Sequence, residues 1–232
     1  MSLAEALATA NGAPPRFVDI RFDAAKRPVR CSGNTVVCHR RDAAGRAAIA
    51  DLVAKIAEGP AGDCHAFTPE RSWHMTVYDG LLHDRRAPGF WPADLPVDAS
   101  DDQADAFVLS RLADLPALDE PVTMHATGLF GWEHHALGLA LAAGSARQEQ
   151  ALRRFRAACA ERLGMADRPG HDDYRFHLTL GYLIAWPDPA TARAADGAMD
   201  ALAPRLGDLV PPFELGPPEL CLFDNMTLFR PV

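Results

Sequence analysis

The sequence predicts an α+β fold built from two similar lobes, and two observations carry that prediction. Short β-branched or alternating stretches, which suit half-buried strands, are interleaved with segments whose apolar residues recur at helical spacing. The order strand, helix of about four turns, strand also occurs twice: Val36 and Leu139, each in a leading strand, stand 38 residues before His74 and His177. Identity between the halves is slight, so the repeat is one of elements, the kind that builds paired lobes.

The elements run in order along the chain. Residues 1–15 read as an N-terminal extension and 16–232 as a single bilobal domain. Residues 16–22, with Phe17, Ile20 and Phe22 apolar, read as a first strand, and Pro28 and Ser32-Gly33-Asn34 interrupt it. Thr35 to His39 is a β-branched run. Asp42 caps a helix whose Ile49, Leu52, Val53 and Ile56 share a face, and Gly59-Pro60 stops it. Residues 73–78 alternate as a strand. Residues 82–102 hold Pro88, Gly89, Pro92 and Pro96 without a period and read as an inserted loop, of a length that is usually functional or disordered. Asp101 or Asp102 opens a short helix to about Leu115. Strands come next at 121–130 and 136–142 around a turn at 131–134. Ser145 starts a helix with Leu152, Phe155, Cys159 and Leu163 on one side, closed by Gly164. Residues 174–184 form a strand, Asp188-Pro189 opens the last helix, and 213–215 and 220–229 are the final strands.

Composition narrows the function. Of the 232 residues 48% are apolar and 23% charged, a globular balance. No apolar run approaches the roughly 18 residues of a membrane span, so no membrane partner is expected. The formal net charge of −8 opposes a grip on long nucleic acid, which needs a basic surface. A local cluster of cations inside that acidic envelope still suits a small anionic ligand. The N-terminus lacks the basic start and apolar core of a secretory signal. Cys31, Cys38, Cys64, Cys159 and Cys221 are odd in number, widely spaced and without a Cys-x-x-Cys pair. That fits reduced, mostly buried thiols in a cytoplasm better than a disulfide framework or a structural zinc site.

Two segments carry chemistry. On a strand through Trp73-His74-Met75-Thr76-Val77-Tyr78, alternate residues share a face, so His74, Thr76 and Tyr78 point one way and Trp73, Met75 and Val77 point to the core. In Arg175-Phe176-His177-Leu178-Thr179-Leu180, His177 and Thr179 share a face with Arg175. Each segment thus sets an imidazole and a hydroxyl side by side on an open face. A third triplet, His125-Ala126-Thr127, is followed by Gly128, lacks the apolar pattern and reads as coincidence. In-line displacement at a phosphodiester needs a base on the attacking oxygen and an acid on the leaving oxygen, on opposite sides of the phosphorus. Imidazole serves both roles, with an ordinary pKa of about 6.5. Strands from two lobes facing across a cleft supply that geometry. Each threonine hydroxyl then donates to a non-bridging oxygen. Such a design requires no metal or other cofactor.

The paired motifs His74-Met75-Thr76-Val77 and His177-Leu178-Thr179-Leu180 resemble those of the 2H phosphoesterase superfamily. Gly33-Asn34-Thr35-Val36, residues 73–80 and Phe223-Asp224-Asn225-Met226 are similar to an uncharacterised bacterial branch of it. The resemblance spans about 17–229. It implies a bilobal α+β fold with two antiparallel sheets lining a central cleft and helices outside. It also implies metal-independent hydrolysis of a cyclic phosphodiester or processing of an RNA end. The 82–102 insertion departs from the family pattern and is placed to cover the cleft.

The resulting expectation is a phosphodiesterase of the 2H type acting on a 2′,3′-cyclic phosphate or a similar small nucleotide or RNA-end diester. His74 and His177 are base and acid in unassigned order, and Thr76 and Thr179 bind the phosphoryl oxygens. Tyr78, Arg175, Arg85 and Arg86 are candidate substrate contacts. Trp91 pins the loop, and Arg153, Arg154 and Arg156 read as a solvated helix face. The partner is a small nucleotide or short RNA end, and the chain is expected as a monomer. Two other classes stay open: a nucleotide-binding module with an intact cleft but no turnover, and a metal-dependent hydrolase using fragments such as His134-His135 or His171-Asp172-Asp173.

Overall fold

Alternating and β-branched segments place their apolar faces against helices on one side of a single antiparallel sheet. In this computed structural model, which describes all residues except 41, 119 and 132–134, the strands are β1 (Gly33–Arg40), β2 (His65–Phe67), β3 (His74–Leu82), β4 (Val122–Phe130), β5 (Ala136–Ala143), β6 (His177–Leu183), β7 (Phe213–Phe223) and β8 (Arg230–Pro231). The order β1-β3-β6-β5-β4-β7 closes on itself, because β7 pairs with both β4 and β1. The result is a six-stranded barrel with helices outside it, which corrects the expectation of two separate sheets. The reason lies in β7. Pro217-Pro218 reads as a break between two strands, yet the strand runs through it: Cys38 faces Pro218 and Arg40 faces Leu215, so β7 carries one extra residue there. Proline lacks an N–H, and a bulge is where a sheet tolerates that loss. The halves still meet narrowly, since the register of β3 with β6 is the single pair Met75–Leu178.

The helices are α1 (Leu3–Thr9), α2 (Ala43–Ala57), α3 (Asp101–Leu112), α4 (Ala146–Arg162), α5 (Pro189–Leu202) and α6 (Leu206–Leu209). Asp42, Ser100, Ser145 and Asp188 each cap a helix by accepting a first-turn N–H. Helices α2, α3 and α4 bury Ile49, Leu52, Val108, Leu152 and Cys159 with Met75, Val77, Leu178 and Leu180 of the sheet. The opposite sheet face carries a second cluster, in which Phe22, Val37, Cys221 and Phe223 pack together. The repeat is thus real as an order of elements: β1-α2-β3 and β5-α4-β6.

Three further segments pack around this frame. Residues 16–22 form turns rather than a strand; Asp19 at φ 58° is left-handed and breaks the extended run. The 1–15 extension packs on the rest of the chain: Ser2 caps α1, Leu3 and Ala6 are buried, and the Asp196 carboxylate of α5 accepts from the Leu3 and Ala4 amides at 2.7 and 3.0 Å. The 82–102 insertion lends Leu82, Asp84 and Arg85 to the lining of a cavity that also holds His74 and His177. It sinks Trp91, Leu95 and Ala99 into the helix-side core. The Trp91 indole donates to the Leu95 carbonyl at 3.1 Å, the expected pin. The turn at 131–134 and His134 lie outside the described residues, apart from Gly131. Among the described residues, no helix is long and apolar enough to cross a membrane.

Candidate active site

Antiparallel pairing about Met75–Leu178 sets His74 on the Thr179 side and Thr76 on the His177 side, a local two-fold relation. Both motifs line one cavity of about 490 Å³. The histidines are anchored alike. His74 Nδ1 lies 2.6 Å from the Ser72 carbonyl oxygen, and His177 Nδ1 lies 2.8 Å from that of Arg175. A carbonyl only accepts, so each Nδ1 carries a proton and each Nε2 is the ring edge left for proton transfer. The Thr76 and Thr179 hydroxyls line the same cavity.

The rings differ in surroundings. His74 packs edge-on against Phe229 at 4.1 Å between centroids, with His39 at 6.3 Å. Burial pushes its imidazole down to about 4, and the neighbouring His39 and His177 push the same way. His177 packs against Phe130 at 5.1 Å and Tyr174 at 5.8 Å. It also opens onto a second chamber of about 1020 Å³, lined by Phe17, Phe130, Tyr174 and Tyr182 among others.

A bulge in each strand redirects the residues beyond the motif. Val36 pairs with Tyr78 and Val37 with Thr76, so Val77 is the extra residue; on β6, Leu180 is skipped in the same way, between Gly138–Thr179 and Leu137–Gly181. A bulge reverses the alternation past it. Asp79 and Tyr182 therefore line the cleft. Tyr78 turns to the helix side and is 0% exposed, which overturns its expected place beside Thr76. Two buried arginines hold the β3 bulge. Arg156 donates to the Val77 carbonyl at 2.9 Å, and Arg168 donates to the carbonyls of Asp79 and of Gly80, the latter at 3.2 Å. Arg156, expected on a solvated face, instead lies over the Tyr174 ring at 3.7 Å. A Cβ on Gly80 would overlap Asn34. The Asn34 amide accepts from the Leu81 N–H and donates to Asp105, both at 2.8 Å, tying β1 to β3 and α3.

The other expected contacts separate. Arg85 lines the cleft; Arg175 lines only the second chamber. Arg86 reaches neither. Its guanidinium is consumed by the carbonyls of His83 and Val97, both at 2.8 Å, by the Ala99 carbonyl, and by Asp101 at 3.0 Å. This corrects its assignment as a substrate contact, because its donors hold the insertion in shape. His125 is exposed on β4 and lines neither chamber. Among the described residues, no group of three or more His, Cys, Asp or Glu is placed to hold a metal ion. Sequence reading missed Arg16, Arg21, Asn34, Asp79, Arg168 and Phe229, all of which line the cleft. Only the bulges carry Asp79 there, and a period-two pattern does not announce a bulge.

Comparison with known proteins bears on this arrangement. A family model named 2H-phosphodiest, described as a domain of unknown function (DUF1868), matches residues 21–133, a span that contains the first motif. A crystal structure of a conserved protein of unknown function, ATU0111, from Agrobacterium tumefaciens is 31% identical, with a TM-score of 0.85 over 97% of this chain and 94% of that one. The chain belongs to the 2H phosphoesterase superfamily. Two structures of Usb1 from Kluyveromyces marxianus are more distant. The one with uridine monophosphate has 13% identity and a TM-score of 0.46 over 86% of this chain and 97% of that one; the other has 14% and 0.47 over 88% and 99%. No curated protein matches. As a 2H superfamily member, the chain presents both His-x-Thr motifs to one cleft.

Proposed function

We propose that this 2H protein is a phosphodiesterase that opens a 2′,3′-cyclic phosphate, or a similar small diester at a nucleotide or RNA end, without a metal. The observation that supports it is the matched anchoring of two imidazoles, each with Nδ1 tied to a carbonyl two residues back and each lining one cavity beside a threonine. His74, kept neutral by burial, is the base and takes a proton from water. The water oxygen bonds to phosphorus, the P–O bond to one ring oxygen breaks, and His177 as imidazolium protonates that leaving oxygen. The product is a phosphomonoester with a free hydroxyl. Thr76 and Thr179 donate to the two non-bridging oxygens, where charge grows in the transition state.

The test is turnover of 2′,3′-cyclic nucleotides and a short RNA with a cyclic end, in excess chelator, with wild type, His74→Ala and His177→Ala. Product from wild type alone supports the reading. Tight binding with no product would make the cleft a binding module, and activity lost in chelator would make the protein a metal-dependent hydrolase.

A further inference from the structure

Several arginines, Arg168 of the cleft lining among them, are engaged. Arg86, Arg111, Arg153, Arg156, Arg162 and Arg168 donate to carbonyls or carboxylates. Three in the cleft do not. Among the described residues, the side chains of Arg16, Arg21 and Arg85 donate to no carbonyl or carboxylate and make no ion pair, although all three line the cavity that holds the paired motifs. Arg21 lies near the Cys31 thiol, whose pKa its charge lowers against the larger effect of burial. Its Nη1 is buried and without a hydrogen-bond partner, a costly state for a charged donor. Aromatic faces hold the other two without using their N–H groups: Arg85 lies 3.3 Å from the Phe90 ring centroid and Arg16 lies 5.4 Å from that of Phe17. Such stacking leaves the edges of the guanidinium fork free for a phosphoryl group. Arg85 responds to the same surroundings: burial and the charge of Arg168 lower its pKa, Asp79 raises it, and Arg16 and Arg21 lower it.

The local charge agrees. Arg168 joins these three in the lining, against the carboxylates Asp79 and Asp84. The wall is therefore cationic in a chain of net charge −8. A single diester anion, already met by two threonines and an imidazolium, does not call for this many free guanidinium donors. Arg85 lies just past the end of β3, nine residues beyond Thr76, and lines the same cavity, so a second anionic group there is held apart from the reacting phosphorus.

We infer that the substrate carries a second phosphoryl or pyrophosphoryl group, on the far side of its ribose from the cyclic diester, and that Arg21 and Arg85 bind it while Arg16 closes over it. The inference rests on the phosphodiesterase reading above and deepens it. The measurement is kcat/KM for adenosine 2′,3′-cyclic phosphate with a free 5′-hydroxyl, a 5′-phosphate and a 5′-diphosphate. Wild type should favour a phosphorylated form by about 10-fold or more, and the mono- and diphosphate arms show which the pocket takes. In Arg21→Gln and Arg85→Gln that ratio should collapse toward one, with Arg85→Lys retaining part of it. A wild-type ratio near one, or variants that lower all three substrates equally, overturns the inference while the phosphodiesterase reading stands. Calorimetric binding of adenosine 5′-diphosphate needs no turnover and separates the two failures. Binding weakened about 10-fold or more in each arginine variant, with no cyclic phosphate hydrolysed, keeps the anion pocket and sinks the phosphodiesterase reading. A folded wild type that neither binds the diphosphate nor prefers it as substrate ends the inference.

Discussion

The β3 and β6 halves share a backbone plan and differ in the side chains hung on it. Each has a histidine tied to a carbonyl two residues back, a threonine two residues on and a bulge at the third residue, Val77 or Leu180. Beyond the bulge the halves part. The residue reaching the cleft is Asp79 on one side and Tyr182 on the other, and the bulged neighbour is a buried tyrosine in one half and Gly181 in the other. His74 sits under Phe229 in a desolvated corner, whereas His177 stands between the cleft and a second chamber. A duplicated scaffold therefore fixes where the proton-transfer groups stand. The local packing makes them unequal, which is what a base and an acid require.

The hardest test of that comparison is removal of either histidine. His74→Ala and His177→Ala should each lower kcat by roughly 10² to 10⁴-fold, because each deletes one proton transfer. The double variant should cost little more, since the two act as a unit. Steady-state rates for all three decide it, and a single variant retaining most of its rate ends the paired mechanism.

Loss of a hydroxyl should matter less. Thr76→Val and Thr179→Val each remove one hydrogen bond to the charged phosphoryl group and leave both proton transfers, for an expected loss on the order of 10 to 10³-fold. Comparable losses at the two positions would uphold the local two-fold relation. A loss confined to one would show that a single half carries the oxyanion.

The inequality of the histidines is visible in pH. An imidazole lowered from 6.5 to about 4 stays neutral until pH falls to that value. With His74 as base, the rising limb of kcat/KM should therefore lie near pH 4 rather than near 6.5, because this ratio reports the free enzyme. Phe229→Ala opens the corner to water and should move that limb upward. A limb already near 6.5 in wild type would exchange the roles of the two histidines.

The smallest effect is expected at His125, which is exposed and away from both chambers. His125→Ala should change kcat/KM by less than about two-fold, as surface substitutions usually do. A large loss in a folded variant would mean that the wrong triplets have been paired.

Much of this was legible in the chain. Helix starts come from Asp42, Ser145 and Asp188, because a cap is a local hydrogen bond between residues two or three apart, whereas the third helix is capped by Ser100 rather than opened by Asp101 or Asp102 as a cap. The faces of His74, Thr76, His177 and Thr179 come from a period of two over one short stretch. The inserted loop announces itself by its prolines, but which side it packs on depends on where Trp91 finds apolar company. Arg86 and Arg85 are adjacent and chemically identical, and only the carbonyls that surround one of them separate a brace from a cleft residue.

Sequence by itself determined the longer helices, the strands that carry the two motifs and the chemistry that an imidazole and a hydroxyl make possible, because each depends on neighbours a few residues away. Only the tertiary structure decided that the sheet closes through β7, that bulges exchange Tyr78 for Asp79 at the cleft, that burial separates His74 from His177, and that Arg16, Arg21 and Arg85 gather beside them with donors to spare. Those outcomes depend on contacts between residues far apart in the chain, as when Arg156 satisfies the carbonyl of Val77. No periodicity records such a contact, since it exists only once the two segments have been folded against each other.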